Sequence, residues 1–401
     1  MNKTQCDILV VGCGAVGAAV ARSLASSRKG ASVVVLEKEE GPALHTSGRN
    51  SGVLHSGFNP EPGTLKARFC VEGNARAREF CLKHKVALQT TGTIVVAQNL
   101  IEAETLAELL RRGRENNVPG IQMLSPDQMR EKEPYAEGKT ALFSPTGSIV
   151  DSAGFVQAMV AEAEELGAKF VFREKVKRFT ALSAGFEVQT SGGAKYIANV
   201  LFNCAGLHAD TLAHQLGAGM EYSIFPFRGQ YYRTSEEKKH VLKSMVYPAP
   251  DLRYPFLGVH WTRTVGGEVL AGPNAVIAMG RESYSPFKIN LAETAKMILD
   301  HRTWKMMASK DFRHMASTQF WISFSKNRFA QEAAKLIPGI TPDDLEVYPK
   351  AGNRPQLINK DGHMVEDLVV EKRGNSLHVL NAVSPGLTSS LAFADHLVSQ
   401  L

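Results

Sequence analysis

Six residues near the start of the chain, Gly12-Cys13-Gly14-Ala15-Val16-Gly17, have the spacing of a backbone cradle for phosphate. They follow the apolar run Ile8-Leu9-Val10-Val11 and lead into Ala18-Ala19-Val20-Ala21 and Leu24, the pattern of a strand, a turn and a helix. In that arrangement Gly12 permits the tight turn, Gly14 lets backbone approach a pyrophosphate, and Gly17 lets the helix pack on the strand. Val16 falls in the first helical turn, whose free N–H groups and partial positive charge face an anion. A second apolar run, Val33-Val34-Val35-Leu36, ends in Glu37-Lys38, about 20 residues beyond the glycines, where a carboxylate can accept hydrogen bonds from a ribose diol. The chemistry implied is dinucleotide binding; the competing reading is an ordinary strand-to-helix turn.

Elsewhere the chain carries residues suited to proton transfer and anion binding. His55 lies in a glycine- and serine-rich stretch, and His260 lies in Gly258-Val259-His260-Trp261-Thr262-Arg263. A reference pKa of about 6.5 suits either imidazole to accept a hydroxyl proton. Strand alternation puts His260 on one face and Trp261 and Arg263 on the other, so His260 and Arg263 should not share a pocket. Planar arginine is the best side-chain match for a carboxylate, which makes Arg354, in Gly352-Asn353-Arg354-Pro355, and Arg228 candidate clamps, with Tyr231 and Tyr232 beside Arg228. For each arginine the alternative is a structural ion pair. Asn274, after a glycine and a proline, has the side chain to hydrogen-bond a hydroxyl or carboxylate; the competing and favoured reading is a turn residue.

These residues need a scaffold. At 401 residues, with 44% hydrophobic and 21% charged residues, the chain has the composition of a soluble globular protein of two or three structural units. No apolar stretch approaches the roughly 20 residues of a membrane span. The chain enters its first strand within a few residues, leaving no room for a signal or transit peptide, so a cytoplasmic protein is expected, with peripheral attachment to the membrane left open. A net charge of +6 suits an anionic cofactor, substrate or membrane surface but is no nucleic-acid signature. The five cysteines, Cys6, Cys13, Cys70, Cys81 and Cys204, form no CxxC pair; reduced thiols are expected, and no metal site.

Strand-helix-strand grammar appears three times. It opens the chain, returns near residue 150 (a helix capped by Asp151-Ser152, then strands to Ala205-Gly206), and closes it from Leu377 onward. Residues 221–344 differ: aromatic-rich strands (Tyr231, Tyr232, Phe256, Trp261) are followed by a helical block at 291–335 rich in lysine, arginine, tryptophan and methionine. The expected fold class is α/β: a discontinuous Rossmann-like domain (1–85, 150–220 and 345–401) with an inserted, mainly antiparallel β plus α substrate domain (86–149 and 221–344). The helical block is either a packed subdomain with a basic face or a surface for an anionic bilayer.

With these elements in place, the chain resembles the superfamily of D-amino-acid oxidase and glycine oxidase, and within it the L-2-hydroxyglutarate dehydrogenase (oxidase) family. The resemblance rests on TSGRNSGVLHSGF (46–58), PGTLKARFCVEGN (62–74), FRGQYY (227–232), YPFLGVHWTR (254–263), AGPNAV (271–276), GNRPQL (352–357) and HVLNAVSPGLTSSLA (378–392), in order along nearly the whole chain. It implies non-covalent FAD and oxidation of L-2-hydroxyglutarate to 2-oxoglutarate by hydride transfer to the flavin, with electrons passing to a quinone-like acceptor or oxygen. Flavin amine or amino-acid oxidation and glycerol-phosphate oxidation remain alternatives on the same scaffold. By the same resemblance, Ser47, Arg49, Asn50 and Ser51 run along the pyrophosphate and flavin, backbone at Val176 meets the adenine, and Ala205-Gly206 pass the cofactor. Arg354 matches the arginine that pairs with a substrate carboxylate. Pro385-Gly386-Leu387-Thr388 starts a helix aimed at the flavin's pyrimidine end, where its N-terminus favours negative charge. The chain departs from the family at Asn353, where an apolar residue is usual, and at Gly386-Leu387, where small residues are usual.

Overall fold

The structure, a computed structural model, describes residues 3–252 and 257–401. Tyr254 and Phe256, part of one stretch quoted above, lie outside the described residues.

The apolar runs assemble a parallel sheet. Lys3–Val11 lies between Val33–Leu36 and Lys195–Asn203, parallel to both, with Val11 opposite Leu36 and Asn203. Lys169–Val171 extends the sheet beside Val33–Leu36, and Ser376–Asn381 pairs parallel with Lys195–Asn203. Segments from the start, middle and end of the chain thus meet in one sheet. Val176–Ala181 and Phe186–Thr190 add the antiparallel extension, the latter pairing with Lys195–Asn203 around the Ser191-Gly192-Gly193 turn. Val33–Leu36 is buried at every residue, which is why it reads as a continuous β-branched run and not as an alternation.

Four helices cover this sheet and share one core: Ala15–Ser27, Leu65–Lys83, Ser152–Glu165 and Gly386–Val398. Phe69 meets Phe393 with ring centroids 5.7 Å apart, and Phe80 meets Phe155 edge-on at 5.5 Å. All five cysteines are buried free thiols.

The glycine turn is close-packed. Gly12 has φ +97°, and a Cβ there would stand 2.5 Å from the Cys204 carbonyl oxygen at the end of the neighbouring strand. A Cβ on Gly17 would stand 1.9 Å from the Gly12 carbonyl oxygen. Gly17→Ala must therefore push the helix off the sheet. We expect a loss of about 3 kcal/mol or more, together with loss of bound cofactor, read as a lowered Tm and reduced flavin content.

The second sheet is mainly antiparallel. Its long strand Ser223–Thr234 pairs with Leu345–Ile358, Val269–Gly272 and Val276–Ile277. Beyond Val269–Gly272 come His260–Arg263, Met245–Pro248 and Thr93–Ala97. The boundary expected at 345 falls inside this sheet: Leu345–Ile358 runs alongside Ser223–Thr234 from Leu345 opposite Thr234 to Ile358 opposite Ser223. A strand with such a partner belongs to the second sheet, and the chain returns to the first only at Val369–Arg373.

The helical block is four helices, Leu291–Leu299, His301–Ala308, Lys310–Phe324 and Lys326–Ala334. The breaks fall at Asp300, Ser309 and Ser325, each capping the helix that follows by accepting from the backbone N–H of Arg302, Phe312 and Arg328 respectively. Phe329, Ala330 and Ala333 pack with Tyr232 and Trp261 in the core of the second sheet. Leu299, Trp304, Trp321 and Phe324 remain exposed. Among the described residues no helix is long and apolar enough to cross a membrane.

Candidate active site

A cavity of about 390 Å³ runs from the glycine turn to the second sheet, within the usual size of a ligand site. Two helix N-termini open on it. Gly14, Ala15 and Val16 line it at the start of Ala15–Ser27, and Pro385, Gly386, Leu387 and Thr388 line it at the start of Gly386–Val398. Neither N-cap residue, Gly14 or Pro385, offers a side-chain cap, so free N–H groups and positive helix ends face one space. Ser47 stands at the first of them, its Oγ accepting from Ala15 N–H at 2.9 Å, and a Cβ on Gly14 would come within 2.9 Å of that oxygen. Such a cradle fits an elongated, anionic dinucleotide.

The 46–58 segment is held by its own polar side chains. Asn50 donates to the carbonyls of Thr46 (3.1 Å) and Ser47 (2.8 Å) and accepts from Gly52 N–H (2.8 Å). Arg49 donates to the Leu44 carbonyl at 3.1 Å and lies over the Tyr284 ring at 4.3 Å. Both residues line the cavity, yet these bonds brace the loop. Of the two residues expected as phosphate donors, Asn50 has its amide nitrogen engaged within the loop, and Arg49 also donates from Nη1 to the Ala351 carbonyl at 3.5 Å. Ser51 pairs with the Tyr231 hydroxyl across the cavity wall.

Not every expected residue reaches the cavity. Gly12 and Gly17 shape the turn behind it, and Ala205 lies between two lining residues, Cys204 and Gly206. Glu37 accepts from Cys13 N–H at 2.7 Å and from Glu39 N–H at 3.0 Å, which locks the second strand to the glycine turn. Lys38 pairs with Glu39 and, at 2.9 Å, with Glu282. Val176 packs in the core on the other side of the sheet. Arg228 is corrected: strand alternation gives the cavity Phe227, Gly229 and Tyr231, and Arg228 between them is buried outside it. Asn274, by contrast, is buried and lines the cavity, its Oδ1 accepting from Gln230 N–H at 2.7 Å.

The two histidines and Arg354 do meet there. His55 is fixed by its backbone: its N–H donates to Thr388 Oγ1 at 3.0 Å, and its carbonyl accepts from Asn74 Nδ2 at 3.2 Å. Its Nε2 lies 3.1 Å from Ser384 Oγ. Burial, then the charges of His260, Lys66 and Arg354, push its pKa down to about 4. His260 Nδ1 must be protonated to donate to the Gly258 carbonyl at 2.9 Å, which leaves Nε2 with its lone pair. Burial holds His260 at about 4 as well, against that bond. Alternation holds along this strand: Trp261 is buried in the sheet core and donates to the Ala333 carbonyl at 2.9 Å, and Arg263 donates to the Leu242 carbonyl at 2.9 Å. Arg354 stands opposite Phe227, its Nε directed by Gln356 Oε1 at 3.1 Å, and burial lowers it to about 10.

Among the polar lining residues to which the sequence assigned no individual role are Lys66, Tyr247 and Ser384. Tyr247 packs edge-on against His260 at 4.4 Å. Ser384 precedes Pro385, and only its distance to His55 gives it a place in the site. Lys66 sits at the start of the helix Leu65–Lys83, whose sequence has helical spacing and mixed charge.

A model of the FAD dependent oxidoreductase (DAO) family matches residues 7–400. The chain belongs to this family. It is a flavin-dependent oxidoreductase with FAD as cofactor, and the resemblance to L-2-hydroxyglutarate dehydrogenases holds over nearly its whole length. A protein of that name from Indibacter alkaliphilus is 36% identical over 96% of both chains. The Escherichia coli K12 protein of that name is 32% identical over 98% of this chain and 93% of its own. The human protein, named L-2-hydroxyglutarate dehydrogenase, mitochondrial, is 34% identical over 100% of this chain and 89% of its own. In fold, the chain is similar to the FAD-bound, reduced L-alpha-glycerophosphate oxidase of Mycoplasma pneumoniae (TM-score 0.77, 24% identity, 99% of this chain and 94% of that one). It is also similar to glycine oxidase of Geobacillus kaustophilus (TM-score 0.71, 19% identity, 100% and 95%). At these identities the likeness carries the fold and no substrate.

Proposed function

We propose that this flavoprotein oxidises L-2-hydroxyglutarate to 2-oxoglutarate, with a quinone-like molecule or oxygen as the onward electron acceptor. The observation that carries the reading is a neutral histidine and a buried arginine lining one cavity onto which two helix N-termini open. The names of the relatives supply the choice of hydroxy acid.

In this reading the backbone N–H groups at Gly14 and Val16, with the Ser47 hydroxyl that accepts from Ala15, would hold the cofactor's diphosphate, and those at Leu387 and Thr388 would hold the polar edge of its ring system. Bound there, FAD supplies the acceptor for the α-hydrogen and its electron pair. Arg354 clamps the carboxylate beside the reacting carbon through its planar fork. That fixes the α-carbon, and orientation of this kind is a large part of a rate enhancement. A ring nitrogen of His55 takes the hydroxyl proton as the carbonyl forms. His55 is neutral well below pH 7, so it is ready to accept without first losing a proton.

A histidine at the ordinary value near 6.5 would be about nine-tenths protonated at about pH 5.5 and lose about tenfold in kcat/KM. His55, at about 4, stays neutral there. We expect kcat/KM for L-2-hydroxyglutarate to change less than about twofold between pH 7 and about pH 5.5.

An anaerobic screen tests the substrate assignment. L-2-hydroxyglutarate, D-2-hydroxyglutarate, glycine, sarcosine and glycerol phosphate are each mixed with purified flavoprotein, and loss of the visible flavin absorbance is followed. Rapid loss with L-2-hydroxyglutarate alone is expected. Loss with glycine or glycerol phosphate, and none with the hydroxy acid, would move the chain to another branch of the family.

A further inference from the structure

We infer that Lys66 binds the distal carboxylate of the substrate while Arg354 binds the one beside the reacting carbon, so that two cations select a 2-hydroxy dicarboxylate. This rests on the hydroxy-acid reading above and adds the residue that sets chain-end specificity.

Lys66 is the second residue of the helix Leu65–Lys83. The start of that helix is tied down: Thr64 Oγ1 accepts from Ala67 N–H at 3.1 Å, and the Asp367 carboxylate accepts from the N–H of Leu65 (3.3 Å) and of Lys66 (2.8 Å). The backbone of Lys66 is therefore fixed, and its side chain lines the cavity with His55 and Arg354. Among the described residues its ammonium has no hydrogen-bond or ion-pair partner, although it is largely withdrawn from water.

Two cations then face one desolvated space. Burial first and the Arg354 charge second push Lys66 down to about 8, against partial relief from Glu366, Cys70 and Asp367. Lys66 in turn presses on His55. Holding the Lys66 ammonium there is costly when the site is empty, and the second carboxylate of a dicarboxylate ligand neutralises it. A monocarboxylate leaves one cation unpaired. Other candidates are less suited to this part: Arg49 is tied to the Leu44 carbonyl and the Tyr284 ring, the Tyr231 hydroxyl carries no charge and is engaged with Ser51, and Arg228 lies outside the cavity.

The test compares L-2-hydroxyglutarate with L-2-hydroxyvalerate, which has the same carbon chain and no distal carboxylate, using holoenzyme of the unmodified chain and of Lys66→Met. Binding of 2-oxoglutarate and of 2-oxovalerate, followed through the flavin spectrum, gives a readout independent of turnover. We expect Lys66→Met to raise KM for the dicarboxylate and Kd for 2-oxoglutarate by at least about 30-fold, with the monocarboxylate values within about threefold of the unmodified protein. Lys66→Arg should restore part of the discrimination. If Lys66→Met loads no flavin, the unmodified enzyme supplies the result. Its preference for the dicarboxylate in kcat/KM should fall as pH rises through about 8, where the ammonium loses its charge among Arg354, Glu366, Asp367, Cys70 and His55. Equal losses for both substrates in Lys66→Met, or a preference that is flat with pH, would overturn the assignment. If the unmodified enzyme fails to oxidise L-2-hydroxyglutarate at all, the functional reading falls, and this inference with it. Unmodified activity with an indifferent Lys66→Met removes Lys66 alone.

Discussion

His55→Ala slows anaerobic flavin reduction by at least about 100-fold, the scale of a lost general base, while flavin content stays near that of the unmodified protein. The contacts that hold this part of the loop use the His55 backbone: its N–H on Thr388 and its carbonyl under Asn74. Alanine keeps both, so the loop stays in place and the loss falls on the proton-transfer step. The imidazole's neighbours explain why it is a usable base. Burial, then the neighbouring His260, Lys66 and Arg354, disfavour its protonated form. The rival is His260, whose Nδ1–H is committed to the Gly258 carbonyl and whose Nε2 is free to accept. If His260→Ala imposes the large loss and His55→Ala does not, the base is His260, and His55 is a structural partner of Ser384.

Arg354→Lys raises the KM for L-2-hydroxyglutarate by about 30-fold or more, with flavin content near normal. Lysine keeps the positive charge but loses the planar fork, and it cannot keep the Nε contact to Gln356 that directs the guanidinium. Steady-state kinetics separate the possibilities. A raised KM with a smaller fall in kcat marks lost ground-state binding; an unchanged KM removes Arg354 from the carboxylate.

Much of the first sheet was legible in the sequence because its signals are local. The glycine spacing, the buried runs at 8–11 and 33–36 and the Asp151 cap each report a backbone requirement that short sequence can express. The placement of Leu345–Ile358 was not legible. Its partner, Ser223–Thr234, is more than a hundred residues away, and nothing within the strand says which sheet it joins. The site shows the same division. Alternation separated His260 from Arg263, and both side chains obey it. The same rule, applied to Phe227, Arg228 and Gly229, would have left Arg228 in doubt as a partner of Tyr231, because residues one and three positions away from Tyr231 cannot face with it on a regular strand. Lys66 was invisible for a different reason. A lysine early in a mixed-charge helix reads as solvated, and only the tertiary fold sets the helix start against the cavity.

An anaerobic titration of the purified, FAD-loaded protein with L-2-hydroxyglutarate tests the whole account most directly. One equivalent of substrate is expected to bleach one equivalent of flavin and to leave one equivalent of 2-oxoglutarate. A fully loaded flavin that stays oxidised in excess substrate would contradict it.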